Sequence, residues 1–385
     1  MNYATNWNYP TSISLGAGRI KEVVSECLEL GIERPLIVTD PGIVTFSFVD
    51  KLKSNCSRQG LGIGIYSDVH PNPTGEDVDA GLEVYKKGNH DGVIALGGGS
   101  SLDAGKAIAL MAGQTRPIWD FEDVGDNWQR VITSGVAPVI AIPTTAGTGS
   151  EVGRASVILD TNSLEKKIIF HPLMLPKKVI LDPEVTIGLP AGLTAATGMD
   201  ALSHSLEAFC APGYHPMARG IAVEAIGLVK KWLPVAVNNG HNIEARTHML
   251  VASTMGATAF QRGLGAMHAI AHSLGAVFGA HHGMLNAILM PYVLKANRTV
   301  IEDDIAWLSM AIGLEGNFDA FQKWVIDFRA ELGIPHSLSE IGINATQIEL
   351  IGTMSKIDPS AGTNPIIFDE KEYSKICLDA INGTL

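Results

Sequence analysis

The chain has 385 residues, 46% of them hydrophobic and 18% charged, with 40 acidic against 28 basic side chains and a formal net charge of −12. That apolar share excludes a disordered chain, and the acidic balance excludes a broad basic surface for nucleic acid or anionic membranes. A single core rarely grows beyond about 250–300 residues, so the length predicts two domains. Cys27, Cys56, Cys210 and Cys377 are far apart and form no CxxC pair. This argues against a disulfide framework or a Cys-rich zinc module and fits a reducing compartment. Residues 1–6 have neither the basic start nor the apolar run of a signal peptide, so a cytoplasmic protein is expected.

In chain order, β-branched runs predict strands at 36–39, 62–66, 93–96, 139–142 and 179–181. Between them, apolar residues at helical spacing predict helices at 19–30, 75–87 and 101–112. This alternation is the pattern of a parallel sheet with crossover helices. After about residue 190 the β-rich runs stop, and helical patterns occupy 194–209, 216–233, 243–260, 267–278, 284–296, 300–312 and 318–332. A loop is expected at 358–368, then a short helix near 370–381. The expected architecture is an α/β Rossmann-like parallel-sheet domain over 1–187 and an all-α domain over 188–385. Residues 263–294 contain no Asp, Glu, Lys or Arg, yet His268, His272, His281, His282 and Asn286 make the stretch buried protein interior rather than a membrane span.

The first chemical signal is Gly97-Gly98-Gly99-Ser100-Ser101-Leu102-Asp103 after the strand at 93–96. Glycines let a ligand approach the backbone, and the N–H groups of a starting helix attract an anion such as pyrophosphate. Ser100 and Asp103 also match the S-x-x-D pattern of a capped helix. A G-x-G-x-x-G fingerprint fails on Ser100, Ser101 and Leu102, and a Walker A loop fails because Ser100 and Ala107 stand where it needs Gly and Ser or Thr. Thr144-Thr145-Ala146-Gly147-Thr148 forms a second turn of small hydroxyl residues and glycine. Asp40, at the end of the strand at 36–39, can accept from ribose hydroxyls and would repel a 2′-phosphate.

The helical half carries Asp200 four residues before His204 and His268 four before His272, with His281-His282-Gly283 following a short break. Residues four apart share a helix face and can share an ion. Burying these groups in uncharged, Ala- and Gly-rich surroundings would be costly without an ion or a wet cleft. A carboxylate with several imidazoles suits iron or zinc better than magnesium or calcium. His70, His90, His171, His215, His241, His248 and His336 read as surface or capping residues.

Together these segments resemble the iron-containing (group III) alcohol dehydrogenase family across essentially the whole chain. The family also shares its two-domain architecture with dehydroquinate synthase and glycerol dehydrogenase. The resemblance implies Asp200, His204, His268 and His282 as ligands of Fe(2+), with zinc the alternative. It implies His272 as the residue beside the nicotinamide, and Asp40, Asn72, Gly98, Gly99, Ser100, Asp103, Thr144, Thr145, Thr148 and Lys166 as NAD-binding positions. The activity implied is hydride transfer between NAD and a small alcohol of simple, diol or lactaldehyde type, with the metal-held alkoxide as donor. His272 is expected to relay the proton, in a site between the two domains. A homodimer or larger assembly is implied, with a small alcohol or aldehyde as the only other partner. The rivals are a glycerol dehydrogenase-like zinc enzyme, a synthase-type lyase of the same architecture, and a non-catalytic metal- or nucleotide-binding protein. Two positions depart from the family pattern: His281 stands where Pro is common, and Ile366 follows Asn364-Pro365 where Arg is common. Both bear on the substrate entrance, so the substrate stays open.

Overall fold

The computed structural model describes residues 11–163 and 165–385, so the N-terminal stretch at 1–6 lies outside the described residues. Contacts within the chain divide it into two compact units, which meet in the sequence at Gly188 and Leu189.

In the first unit the strands are β1 (Ser12–Leu15), β2 (Pro35–Val38), β3 (Gly64–Tyr66), β4 (Gly92–Gly97), β5 (Val139–Pro143), β6 (Ala155–Asp160), β7 (Glu165–Phe170) and β8 (Lys178–Leu181). The helices between them are α1 (Val23–Glu29), α2 (Ser47–Arg58), α3 (Gly75–Lys87) and α4 (Gly99–Met111). Six strands form one parallel sheet in the order β1-β8-β5-β4-β2-β3. β4 is buried along its whole length, as a strand covered on both faces must be. One core joins Val23 and Cys27 of α1, Val49, Leu52 and Cys56 of α2, and Ile37, Ile94, Ile140 and Ile180 of the sheet.

The five predicted strands are all present, while β1, α2 and the antiparallel β6–β7 hairpin are additional. β6 alternates between buried and half-buried residues and β7 is mostly half-buried, a quieter pattern than the apolar runs of the central strands. The expected helix at 19–30 begins as a 3-10 turn, with α1 following from Val23. β2 lies between β3 and β4, so the chain reverses direction across the sheet there. Such a reversal opens a crevice at the carboxyl ends of the strands, where ligands of α/β sheets bind.

The second unit comprises α5 (Ala191–Cys210), α6 (Pro216–Asn238), α7 (Ile243–Ala259), α8 (Ala266–Phe278), α9 (His282–Ala311), α10 (Phe318–Glu331), α11 (Ile348–Ile357) and α12 (Glu370–Asn382). α5 packs against α6, α7 and α9, and α8 packs against α9 and α11. The two helices expected at 284–296 and 300–312 are one continuous helix. Asn297-Arg298-Thr299 resembles a break, but Asn297 is buried and bonded to Asn364, while Arg298 pairs with Glu302 one turn on and with Asp319 of α10. Their side chains are therefore spent on tertiary partners and do not compete with the helix backbone. Among the described residues no helix is long and apolar enough to cross a membrane. α11 is additional to the expected helices, and a 3-10 turn at Pro359–Thr363 sits inside the expected loop.

Candidate metal centre and dinucleotide crevice

Three helices supply the histidine cluster. Asp200, His204 and Glu207 stand on one face of α5, spaced one and two turns apart. His268 and His272 lie one turn apart on α8, and His282 is the first residue of α9. α9 can start so close to α5 because of Gly283: a Cβ there would collide with the Ala196 carbonyl and stand 3.2 Å from Asp200 Cβ. His281, the neighbour in question, accepts the Met284 N–H through Nδ1 and caps α9.

One ligand atom from each of Asp200, His204, His268 and His282 lies within 4.8 Å of the other three. Asp200 Oδ1 is 3.5 Å from His282 Nε2, 3.9 Å from His268 Nε2 and 4.0 Å from His204 Nε2. His204 and His268 stack with ring centroids 4.7 Å apart. Asn286, one turn beyond His282 and fully buried, donates its Nδ2 to Asp200 Oδ1 at 2.8 Å and also meets His282 Nε2 and His268 Nε2. Its Oδ1 is buried without a hydrogen-bond partner, which marks the pocket as unbalanced by protein groups alone. Four convergent electron-pair donors, one carboxylate and three imidazoles, fit a divalent transition metal.

Around this set lie groups that hold it. Glu207, buried beside His268, places Oε2 2.6 Å from the ring's Nδ1. Burial pushes Glu207 up to about 7 against the pull of its backbone donors. Burial, followed by the neighbouring His204, holds His268 well below the ordinary imidazole value. A neutral imidazole is the form that binds a metal. His272 stacks on His282 with centroids 5.2 Å apart and places Nδ1 2.9 Å from Asp358 Oδ2. Burial raises Asp358, but the opposing pull of His272 and the Ser360 donors leaves it below the usual carboxylate value.

The sheet unit gathers the other predicted positions. Asp40 follows β2, the glycine turn follows β4, and the threonine turn follows β5. Asp40 Oδ1 accepts the Gly42 and Ile43 N–H groups, and its Oδ2 accepts Ser101 Oγ at 3.0 Å. Asp40 is thereby tied to the start of α4, across the reversal point of the sheet. Gly98 precedes α4 without a capping side chain, so the expected Ser100–Asp103 cap is not formed. Ser100 instead lies in the first turn of the helix. Gly99 abuts the threonine turn: a Cβ there would stand 2.6 Å from Thr148 Oγ1. Gly98 faces Thr145 in the same way at 3.4 Å, and Thr144 Oγ1 is buried with no hydrogen-bond partner.

Asn72 and Lys166 meet each other, Nζ to Oδ1 at 2.7 Å. Asn72 holds a left-handed backbone, φ 56°, sparsely populated outside glycine and concentrated at functional positions. The hairpin braces that loop, because Leu159 N–H donates to Pro73 O. Asp103 is placed differently from its companions. Its carboxylate is engaged by Ser150 Oγ at 2.5 Å, by Lys106 one turn on in α4 at 3.2 Å, and by Val157 N–H at 3.0 Å, the last of which ties α4 to β6.

Glu207, Asn286 and Asp358 were not singled out from sequence. Glu207 had a visible signal, a third ionisable residue at helical spacing from Asp200 and His204. Asn286 had a weaker one, its i+4 spacing from His282. Asp358 had none, since 86 residues separate it from His272.

The model of "Iron-containing alcohol dehydrogenase" matches residues 10–183, and that of "Fe-containing alcohol dehydrogenase family, C-terminal" matches residues 194–381. A 4-hydroxybutyrate dehydrogenase from Cupriavidus necator is 39% identical over 96% of this chain and 97% of its own length. An NAD-dependent methanol dehydrogenase from Bacillus methanolicus is 34% identical over 98% of this chain and 100% of its own. The crystal structure of a 1,3-propanediol oxidoreductase superposes with a TM-score of 0.92 at 33% identity, covering 98% of this chain and 100% of that one. Matched along both units, the chain belongs to the iron-containing alcohol dehydrogenase family and is an oxidoreductase of the alcohol dehydrogenase class.

Proposed function

We propose that the protein transfers a hydride between a small alcohol and NAD, with Fe(2+), or zinc in its place, held by Asp200, His204, His268 and His282. The observation that carries this reading is the convergence of those four donor atoms within 4.8 Å. A divalent ion there supplies Lewis acidity, which makes an alcohol oxygen more acidic or a carbonyl carbon more open to hydride.

The residues of the chain do the rest. Asp358 accepts His272 Nδ1–H, which leaves Nε2 to take a proton from the alcohol side and return it in reduction. The N–H groups at the start of α4 favour pyrophosphate, and the turn hydroxyls of Thr144, Thr145 and Thr148 offer donors to the cofactor. Asp40 disfavours a 2′-phosphate, which supports NAD over NADP, and the name of the Bacillus methanolicus relative agrees. Asn72 and Lys166 complete the dinucleotide positions, while Asp103 supports them through α4. Dinucleotide binding is assigned to residues 1–187 and the metal chemistry to 188–385. All four cysteines are free thiols, which supports the cytoplasm. The edge strand β1 exposes Ile13 and Leu15, which supports a homodimer or larger assembly.

The substrates proposed are unbranched short alcohols, diols and hydroxy acids, the classes named in the relatives. The test loads purified protein with Fe(2+) or Zn(2+) anaerobically and measures NADH formation with methanol, 1,3-propanediol and 4-hydroxybutyrate, then NADH consumption with the matching aldehydes. Turnover that requires the metal is expected. Stoichiometric metal binding without turnover on the whole panel would defeat the proposal.

A further inference from the structure

Glu207 does two things with one carboxylate. Oε2 accepts Gly265 N–H at 2.9 Å and Oε1 accepts Met267 N–H at 2.7 Å, which satisfies two of the free donors where α8 begins. Oε2 also lies 2.6 Å from His268 Nδ1. A carboxylate whose oxygens both accept backbone N–H groups meets Nδ1 as a further acceptor, so Nδ1 carries the hydrogen. The lone pair of the ring is then on Nε2, which stands 3.9 Å from Asp200 Oδ1. Because Glu207 and Asp200 ride on the same α5 face, α8 and the His268 ring are both indexed to the helix that carries Asp200 and His204.

We infer that Glu207 is the positioning residue of the metal centre, setting the His268 tautomer and ring orientation while it fixes the start of α8. This rests on the reading of Asp200, His204, His268 and His282 as metal ligands. Carboxylates that orient a ligating histidine raise its basicity, and their loss typically weakens metal binding about 10–100-fold.

The same helix end provides its own control. Asn364 Oδ1 accepts the Ala266 N–H at 3.0 Å, and its amide bonds Asn297 and the Ile366 carbonyl. Asn364 therefore caps α8 beside Glu207 without bonding His268. A purely structural role for Glu207 predicts that the two residues behave alike, whereas a positioning role predicts that they differ.

The experiment strips the full chain of metal, titrates it with Co(2+) or Zn(2+) against a chromophoric chelator, and follows the visible Co(2+) spectrum and the melting temperature. Wild type is expected to bind one ion per chain, and Asp200→Ala to lose it. Glu207→Gln should bind about 10–100-fold more weakly with a changed Co(2+) spectrum. Asn364→Ala should melt earlier but keep the wild-type affinity. Wild-type affinity in Glu207→Gln, or equal weakening in Asn364→Ala, overturns the inference. An ion that binds wild type and Asp200→Ala equally well overturns the ligand reading itself, and this inference with it. If Glu207→Gln fails to fold, ¹⁵N shifts of histidine-labelled, metal-free wild type decide: hydrogen on His268 Nδ1 supports the inference and hydrogen on Nε2 rejects it.

Discussion

In the α/β unit the groups proposed to meet NAD are backbone N–H groups and short hydroxyls at strand ends, drawn from stretches only a few residues long. In the helical unit the groups proposed to hold the metal are long side chains from three helices, spanning from Asp200 to His282, with Glu207, Asn286 and Asp358 behind them. The first kind of site follows from a turn conformation and tolerates exchange of most neighbouring side chains. The second exists only while several helices keep their register, so one substitution removes an atom that nothing nearby can replace.

The comparison is broken most severely by removing a ligand. Asp200→Ala or His282→Ala should abolish bound metal, measured by elemental analysis, and lower kcat/KM by more than about 100-fold. NAD affinity, measured by fluorescence titration, should change little in either variant. Equal losses in metal and NAD binding would mean that the two sites are not separable.

His272→Ala should lower kcat by about 10²–10⁴-fold, the usual worth of a positioned general base, while metal content stays at the wild-type level. A variant that keeps full activity across the pH range would remove the proton role from His272. Gly99→Ala places a methyl against Thr148, so NAD should bind about tenfold more weakly with metal content unchanged. Asp40→Ser is the mildest change. Its hydroxyl can still cap the turn at Gly42, and the ratio of NADP to NAD use should rise by about tenfold as the repelling charge is lost. An unchanged ratio would mean that Asp40 does not read the ribose.

The glycine and threonine turns were legible because each is a local event after an apolar run. Asp200–His204 and His268–His272 were legible because the helical repeat puts residues four apart on one face. Glu207 has that same signal, yet its partner is on α8 and its role emerges only with the two helices docked. The continuity of α9 through Asn297 was hidden, since an asparagine before Arg-Thr looks like a stop unless its bond to Asn364 is known. Asp103 misled in the opposite direction. Its spacing suggested a cap, whereas Ser150 and Lys106 occupy its carboxylate.

By itself the sequence determined the alternation of strands and helices in the first half, the helical second half, and the residue types suited to a divalent metal. These follow from backbone propensity and the periods of strand and helix, which are properties of neighbouring residues. Only the tertiary structure decided that Asp200, His204, His268 and His282 point at one place, that Asp358 reaches His272, and that Glu207 holds His268. Those contacts join residues up to 86 positions apart, and packing of helix on helix, which no local pattern encodes, brings them within bonding reach.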